Sequence, residues 1–279
     1  MSCEEPGALP NASVKTPSLA AALLHWLKVW SRGVTAIVEM EVRKIMHDPT
    51  EILTRGLQPI FWLLIFGQAF GRVRAFPTGD IPYQVFITPG ILAQSMMFIS
   101  IFFGISIIWE RDLGLLQKLL VLPLPRSVFV VGKSLSAGFR SLTQVAMVML
   151  LAIVIGIPLR LGFLSLIGVV LSIVAGAMFF SSFSMVMACL LKTRERFMGF
   201  GQLFTMPFFF TSNALYPISI MPAWLQSLAR INPLTYVVDL LRGLLVGTQV
   251  DLIHASIILI VDVVIITIVA SFLYPRAIQ

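Results

Sequence analysis

Residues 161–191 read LGFLSLIGVVLSIVAGAMFFSSFSMVMACLL, a run without one charged side chain. A helix needs about 20 apolar residues to cross the hydrocarbon of a bilayer, so this run spans a membrane once. On either side of it the pattern repeats. No charge occurs from Ile81 to Trp109 or from Phe197 to Ala229, Ser134 to Leu159 is broken only by Arg140, and Leu252 to Pro275 only by Asp262. With Ile52 to Gly71, where Arg55 can snorkel back to the headgroups, the reading is an all-α polytopic membrane protein. Its six transmembrane helices are predicted at about 52–72, 83–109, 134–157, 163–191, 197–215 and 253–274.

Composition agrees. The 279 residues are 58% hydrophobic and only 12% charged, against about 25% charged in an ordinary soluble domain. That apolar excess is more than one compact core can bury and effectively excludes a soluble two-domain enzyme. The net charge of +7 is a topological signal. With the amino terminus inside, 14 of the 20 Lys and Arg residues fall in cytoplasmic segments and 5 on the opposite side, leaving Arg140 in a span. Both termini are therefore expected on the cytoplasmic face of the plasma (inner) membrane, and basic residues so placed do not call for nucleic acid.

Residues 1–18 are polar and rich in Pro and small residues, which reads as a disordered cytoplasmic tail rather than a signal peptide. Residues 19–47 form an amphipathic helix. Leu19, Leu23, Trp26, Leu27, Trp30, Val34, Ile37 and Val38 gather on one side, opposite Lys28, Arg32, Glu39 and Arg43. The helix suits the plane of the cytoplasmic interface, or packing against a partner or the rest of the chain. Asp48-Pro49-Thr50-Glu51 resembles a capping box, with Asp48 as cap, and opens a permease domain over 48–279. In the fifth apolar segment Pro207, Pro217 and Pro222 end the span near Ala214. The chain to about Val250 is then expected as short re-entrant or outer-leaflet helices, on which Asp239 and Arg242 can pair.

Catalytic signatures are missing from the sequence. Cys3 and Cys189 make no CxxC pair, and His25, His47 and His254 have no metal-ligand spacing. Ser127-Val-Phe-Val-Val-Gly-Lys-Ser134 approaches a Walker A loop but lacks its first Gly and leads into a span, so nucleotide binding is rejected. Arg140 and Asp262 are the ionisable residues within spans. Arg140 is expected to snorkel or to pair with a neighbouring acid, whereas Asp262 suits either a structural hydrogen bond or substrate contact. Gln68, Gln94, Gln144 and Gln202 sit in four different spans, either hidden against neighbouring helices or lining one weakly polar path. Gly67 with Gly71, and Gly168, Ser172 and Gly176, have the spacing of close helix contacts.

The segment from Trp109 to Arg126 carries a short leucine-rich helix closed by two prolines, an amphipathic knob suited to a groove in a partner. It resembles the E-R-E-x-G-T-x-E-x-L-L-V-S-P-x-x-R signature of type-2 ATP-binding-cassette exporter permeases, the group of daunorubicin-resistance and nodulation-factor export permeases. Glu110, Arg111, Asp112, Gly114, Leu119, Leu120, Val121, Pro123 and Arg126 match or nearly match; Leu115, Gln117 and Leu122 depart from it. Further resemblance lies in Glu41–Pro49, in the F-x-x-P-G-I-L-A-Q pattern within Tyr83–Gln94, and in Asn232–Gly243.

The resemblance implies a dimerising permease without an ATPase of its own, served by two separate nucleotide-binding subunits that carry ATP and Mg²⁺. Glu110, Arg111, Asp112, Gly114, Leu116, Leu120, Pro123 and Arg126 would couple to that ATPase. The interface helix, with Lys28, Arg32, Arg43 and Asp48, would lie beside them. An amphipathic, lipid-linked or drug-like substrate would leave along a path marked by Gln68, Gln94, Gln144, Gln202 and Asp262. The alternative is a proton-coupled secondary transporter that uses Asp262. A polytopic enzyme lacks the clustered acids or histidines it would need.

Overall fold

The computed structural model describes residues 19–47, 57–67, 69, 81–115, 124–191 and 193–274, with side chains from Trp26 onward apart from 45, 46 and 66. Every element among them is helical. They are α1 (Leu19–His47), α2 (Tyr83–Phe103), α3 (Ile105–Asp112), α4 (Arg126–Val154), α5 (Phe163–Leu190), α6 (Arg194–Thr211), α7 (Ala223–Ile231), α8 (Pro233–Leu245) and α9 (Leu252–Leu273). Residues 57–67 add helix before α2, widened to a π turn over Trp62–Phe66.

Four helical stretches among the described residues are long and apolar enough to cross a membrane: Tyr83–Asp112, Arg126–Val154, Phe163–Leu190 and Leu252–Leu273. Of the two other predicted spans, the first is described only in part, over 57–67 and 69. The fifth is the 18-residue helix α6, whose first turn carries Arg194, Glu195 and Arg196 and which contains Pro207, so its charge keeps it out of these four.

The stretch that begins at Tyr83 is 78% buried and central, whereas that of α9 is only 11% buried and faces outward along most of its surface. Helix α5 packs on α2, α4, α8 and α9. Its small-residue stripe makes this possible. A methyl added at Gly176 would meet Met96 Cε at 2.6 Å and Val237 at 2.8 Å, and one at Gly168 would meet Leu244 at 2.8 Å. In the other predicted pair, Gly67 faces Gln84 at 3.5 Å, while Gly71 lies outside the described residues.

Two span boundaries depart from expectation. The second predicted span is two helices that meet at Gly104, where Ser184 of α5 presses so close that any side chain would overlap its Oγ. The third begins at Arg126, directly after Pro125, rather than near Lys133. Lys133 lies within α4, 1% exposed and held by an acid.

Helix α1 lays the later part of its apolar stripe on the chain itself, whereas Trp26 and Leu27 are exposed. Val34 and Ile37 are buried beside Val128 and Gly132 of α4, and Trp30 Nε1 donates to Ser127 Oγ at 3.1 Å. Lys28, Arg32, Glu39 and Arg43 stay exposed on the opposite face, as the periodicity requires, with Arg43 paired to Glu39 at 2.6 Å.

Candidate functional site

At one end of the bundle, α3 finishes in Glu110-Arg111-Asp112 and turns at Gly114, whose φ of +69° is a conformation glycine adopts without strain. The two acids of this motif reach in different directions. Glu110 is buried and accepts a 2.5 Å bond from Lys133 Nζ of α4, with Lys44 of α1 at 3.7 Å. Lys44 also lies 2.8 Å from Glu41, and Glu41 lies 3.6 Å from Arg140 of α4. Three cations thus enclose two acids, and α1, α3 and α4 meet in one ionic joint. Arg140 pairs with an acid as expected, and its guanidinium also lies over the Phe103 ring at 5.2 Å. Lys44, half exposed, supplies the joint's wet edge.

Asp112 turns the other way, to Arg194 at the start of α6, at 2.8 Å. The Arg194 guanidinium lies over the Trp109 ring at 3.9 Å, so the pair is clamped from the side. Arg111 lies 3.4 Å from Asp112. Arg126 opens α4 and is exposed. Leu116, Leu120, Pro123 and Asp48 lie outside the described residues.

Glu41 was missed by inspection of charge alone. It is 1% exposed, yet it continues the apolar stripe of α1, seven residues after Val34 and four after Ile37. An acid in register with a buried stripe needs a buried cation, and that spacing was the available signal.

Above the joint, α4 and α6 both contribute to a cavity of about 460 Å³. Gln94 and Ser95 of α2, Gln144 of α4 and Gln202 of α6 line it, together with Gln58 from the helix before α2. Three of the four predicted path glutamines therefore converge; Gln68 lies outside the described residues. Phe98, Phe102 and Met198 complete the apolar part of the wall. Asp262 is not among the lining residues; it sits half buried on α9.

With this arrangement in view, comparison with known proteins decides the class. A family model described as ABC-2 type transporter matches residues 32–246. The chain belongs to the ABC-2 type transporter family. It is similar to the putative transport permease ycf38 of Cyanophora paradoxa, 32% identical over 204 residues, which cover 72% of this chain and 70% of that one. The daunorubicin resistance ABC transporter permease protein of Streptomyces coeruleorubidus is 25% identical over 202 residues, covering 72% and 71%. Nodulation protein J of Rhizobium leguminosarum bv. viciae is 26% identical over 262 residues, covering 93% and 95%. This ABC-2 family member is thus a membrane-spanning transport permease subunit rather than an enzyme, of a family that normally works with an ATPase subunit. The match includes the joint and the cavity and ends before α9 and Asp262.

Two stretches that resembled the family acquire physical reasons at the far end of the bundle. In this ABC-2 permease Gly90, from the P-G-I-L-A-Q run, lies against the backbone after α6, where an added methyl would sit 2.3 Å from the Ala214 carbonyl oxygen. Asn232 caps α8 by accepting from Leu234 N at 3.0 Å, while its Nδ2 donates to Phe208 O at 2.7 Å and Thr211 Oγ1 at 2.9 Å. Pro233 follows at the first helical position. Asp239 and Arg242, expected to pair, both grip Asn213: Asp239 accepts from its Nδ2 at 2.5 Å and Arg242 donates to its carbonyl at 2.8 Å. Burial raises the Asp239 carboxyl above its ordinary range, opposed by Arg242 and the Asn213 bond, and lowers Arg242 to about 10. These contacts pin the end of α6 to α8.

Proposed function

We propose that the chain is the membrane-spanning permease subunit of an ATP-driven exporter. It works as a homodimer or with a related permease, alongside two nucleotide-binding subunits that hold ATP and Mg²⁺. Six spans place both termini on the cytoplasmic side of the plasma (inner) membrane, and an amphipathic, lipid-linked or drug-like substrate moves outward from the cytoplasm or inner leaflet.

The observation that carries this reading is the divided grip of Glu110-Arg111-Asp112. Glu110 is tied to α1 and α4, Asp112 to α6, and α4 and α6 each bring a glutamine to the cavity. Force applied between α3 and α4 would reach the cavity along α4 and α6, which carry Gln144 and Gln202. ATP-driven closure of the partner subunits beneath that segment would alter the separation of α4 and α6 and so switch access to the cavity, a shear of packed helices biased by a ligand.

Replacing Leu116 and Leu120 together by Glu puts two charges on the apolar face expected to dock. The result expected is loss of ATPase subunits from the copurified complex; subunits that still copurify and hydrolyse ATP normally would sink the docking claim. The competing reading, a proton relay through Asp262, makes the opposite forecast for another variant. With Asp262→Asn, the exporter reading expects ATP-dependent efflux from vesicles to persist after the proton gradient is collapsed, and abolished efflux would favour the relay.

A further inference from the structure

Gln94 and Gln144 are 3% and 1% exposed and make the floor of the cavity, while Gln58 and Gln202 stand exposed at its rim. Among the described residues no lining side chain is charged. The closest cation along α4, Arg140, is one helical turn from Gln144 but is committed to Glu41 and the Phe103 ring. A charged group lodged on this floor would lose its hydration and meet no counter-ion among the described lining residues, which disfavours ions of either sign.

One atom on the floor points to a ligand. Among the described residues Gln94 Oε1 is buried and has no hydrogen-bond partner. Buried acceptors are nearly always paired in folded proteins, and an amide oxygen calls for an N–H or O–H donor. Each glutamine side chain offers both donors and an acceptor, the same duality that a hydroxyl presents, so several amides around one space suit a group bearing several hydroxyls. Beside them Phe98, Phe102 and Met198 give an apolar, deformable wall. The volume of about 460 Å³ is that of a small-molecule site.

We infer that this cavity binds an uncharged, hydroxyl-bearing amphiphile. One hydroxyl donates to Gln94 Oε1, Gln58 and Gln202 at the rim hold the rest of the polar head, and the apolar tail lies on Phe98, Phe102 and Met198. The inference rests on the exporter reading for what becomes of the ligand, whereas binding itself needs no ATPase subunit.

The test uses the full chain in phosphatidylcholine nanodiscs and three probes with the same diazirine-bearing octyl tail: octyl glucoside, octyl sulfate and octyltrimethylammonium. Adducts on peptides containing Phe98, Phe102 and Met198 are mapped by mass spectrometry, with unlabelled octyl glucoside as competitor. The glucoside is expected to give saturable, competed labelling about tenfold above either charged probe at equal membrane concentration, the factor that one well-made hydrogen bond commands. Gln94→Leu is expected to reduce that labelling by a similar factor. Gln202→Leu, at the exposed rim where folding is indifferent to it, is expected to reduce it several-fold. Equal labelling by a charged probe, labelling that does not saturate, or labelling unchanged in both variants would overturn the inference. Such a failure leaves ATPase docking untouched, and loss of docking leaves the labelling untouched, so the two readings fail separately.

Discussion

Glu110→Ala is expected to destabilise the folded chain by about 3–5 kcal/mol, the range found when one partner of a buried ion pair is removed. The reason is the state of Lys133. Its ammonium is 1% exposed and its 2.5 Å bond to Glu110 is the carboxylate contact that makes burial tolerable. Lys44 can turn to water; Lys133 has no such route. Thermal unfolding of the purified protein in detergent, followed by circular dichroism, should show a midpoint lowered by many degrees. A midpoint within error of the unmodified chain would refute the account of the joint. A double variant, Glu110→Leu with Lys133→Met, separates packing from transmission, because replacing both members of a buried pair by apolar groups of similar size is often close to neutral. Stability is expected to return in the double variant while substrate-stimulated ATP hydrolysis in the reconstituted complex stays low. Recovery of both would reduce the joint to a packing device.

Gly90→Ala should be nearly as damaging at the opposite end of the same helix run. The added carbon would fall 2.3 Å from the Ala214 carbonyl oxygen and 2.8 Å from its carbonyl carbon and Cα. Those atoms belong to backbone, which cannot rotate aside as a side chain can. Ala214 is also held in place, since Asn213 beside it is gripped by Asp239 and Arg242. The strain is expected at or beyond the upper end of the usual cost of overpacking, about 3 kcal/mol. Gly176→Ala provides the comparison. Its nearest contact is the flexible end of Met96, so the cost should be clearly smaller. Thermal midpoints in the reverse order would contradict this explanation of the P-G-I-L-A-Q run.

The two predictions act on opposite ends of one continuous piece of backbone. From Gly90 to Glu110 the chain rises about 30 Å at 1.5 Å per helical residue, with its one break at Gly104. Gln94 and Phe98 lie between them, on the cavity wall. An element anchored at both ends and carrying the cavity between them can pass a displacement at Glu110 to the site.

Much of this was legible in the residues. The apolar runs around α4, α5 and α9, the amphipathic stripe of α1 and the resemblance carried by Glu110–Arg126 are local in sequence, and hydrophobic period and charge placement report them directly. The glutamines were recognisable as unusual because a polar amide in an apolar run is costly wherever it points. The partners were not. That Gln94, Gln144 and Gln202 share one cavity, that Lys133 belongs to Glu110, and that Glu41 belongs to Arg140 depend on the rotation of each helix about its axis and on which helices become neighbours. Those are settled by close packing at Gly90, Gly104 and Gly176, between segments far apart in the chain. The sequence alone determined that this is a membrane permease, since bilayer solvation acts on each segment separately; only the tertiary structure decided the ionic joint and the glutamine-lined cavity, since both arise where separate helices touch.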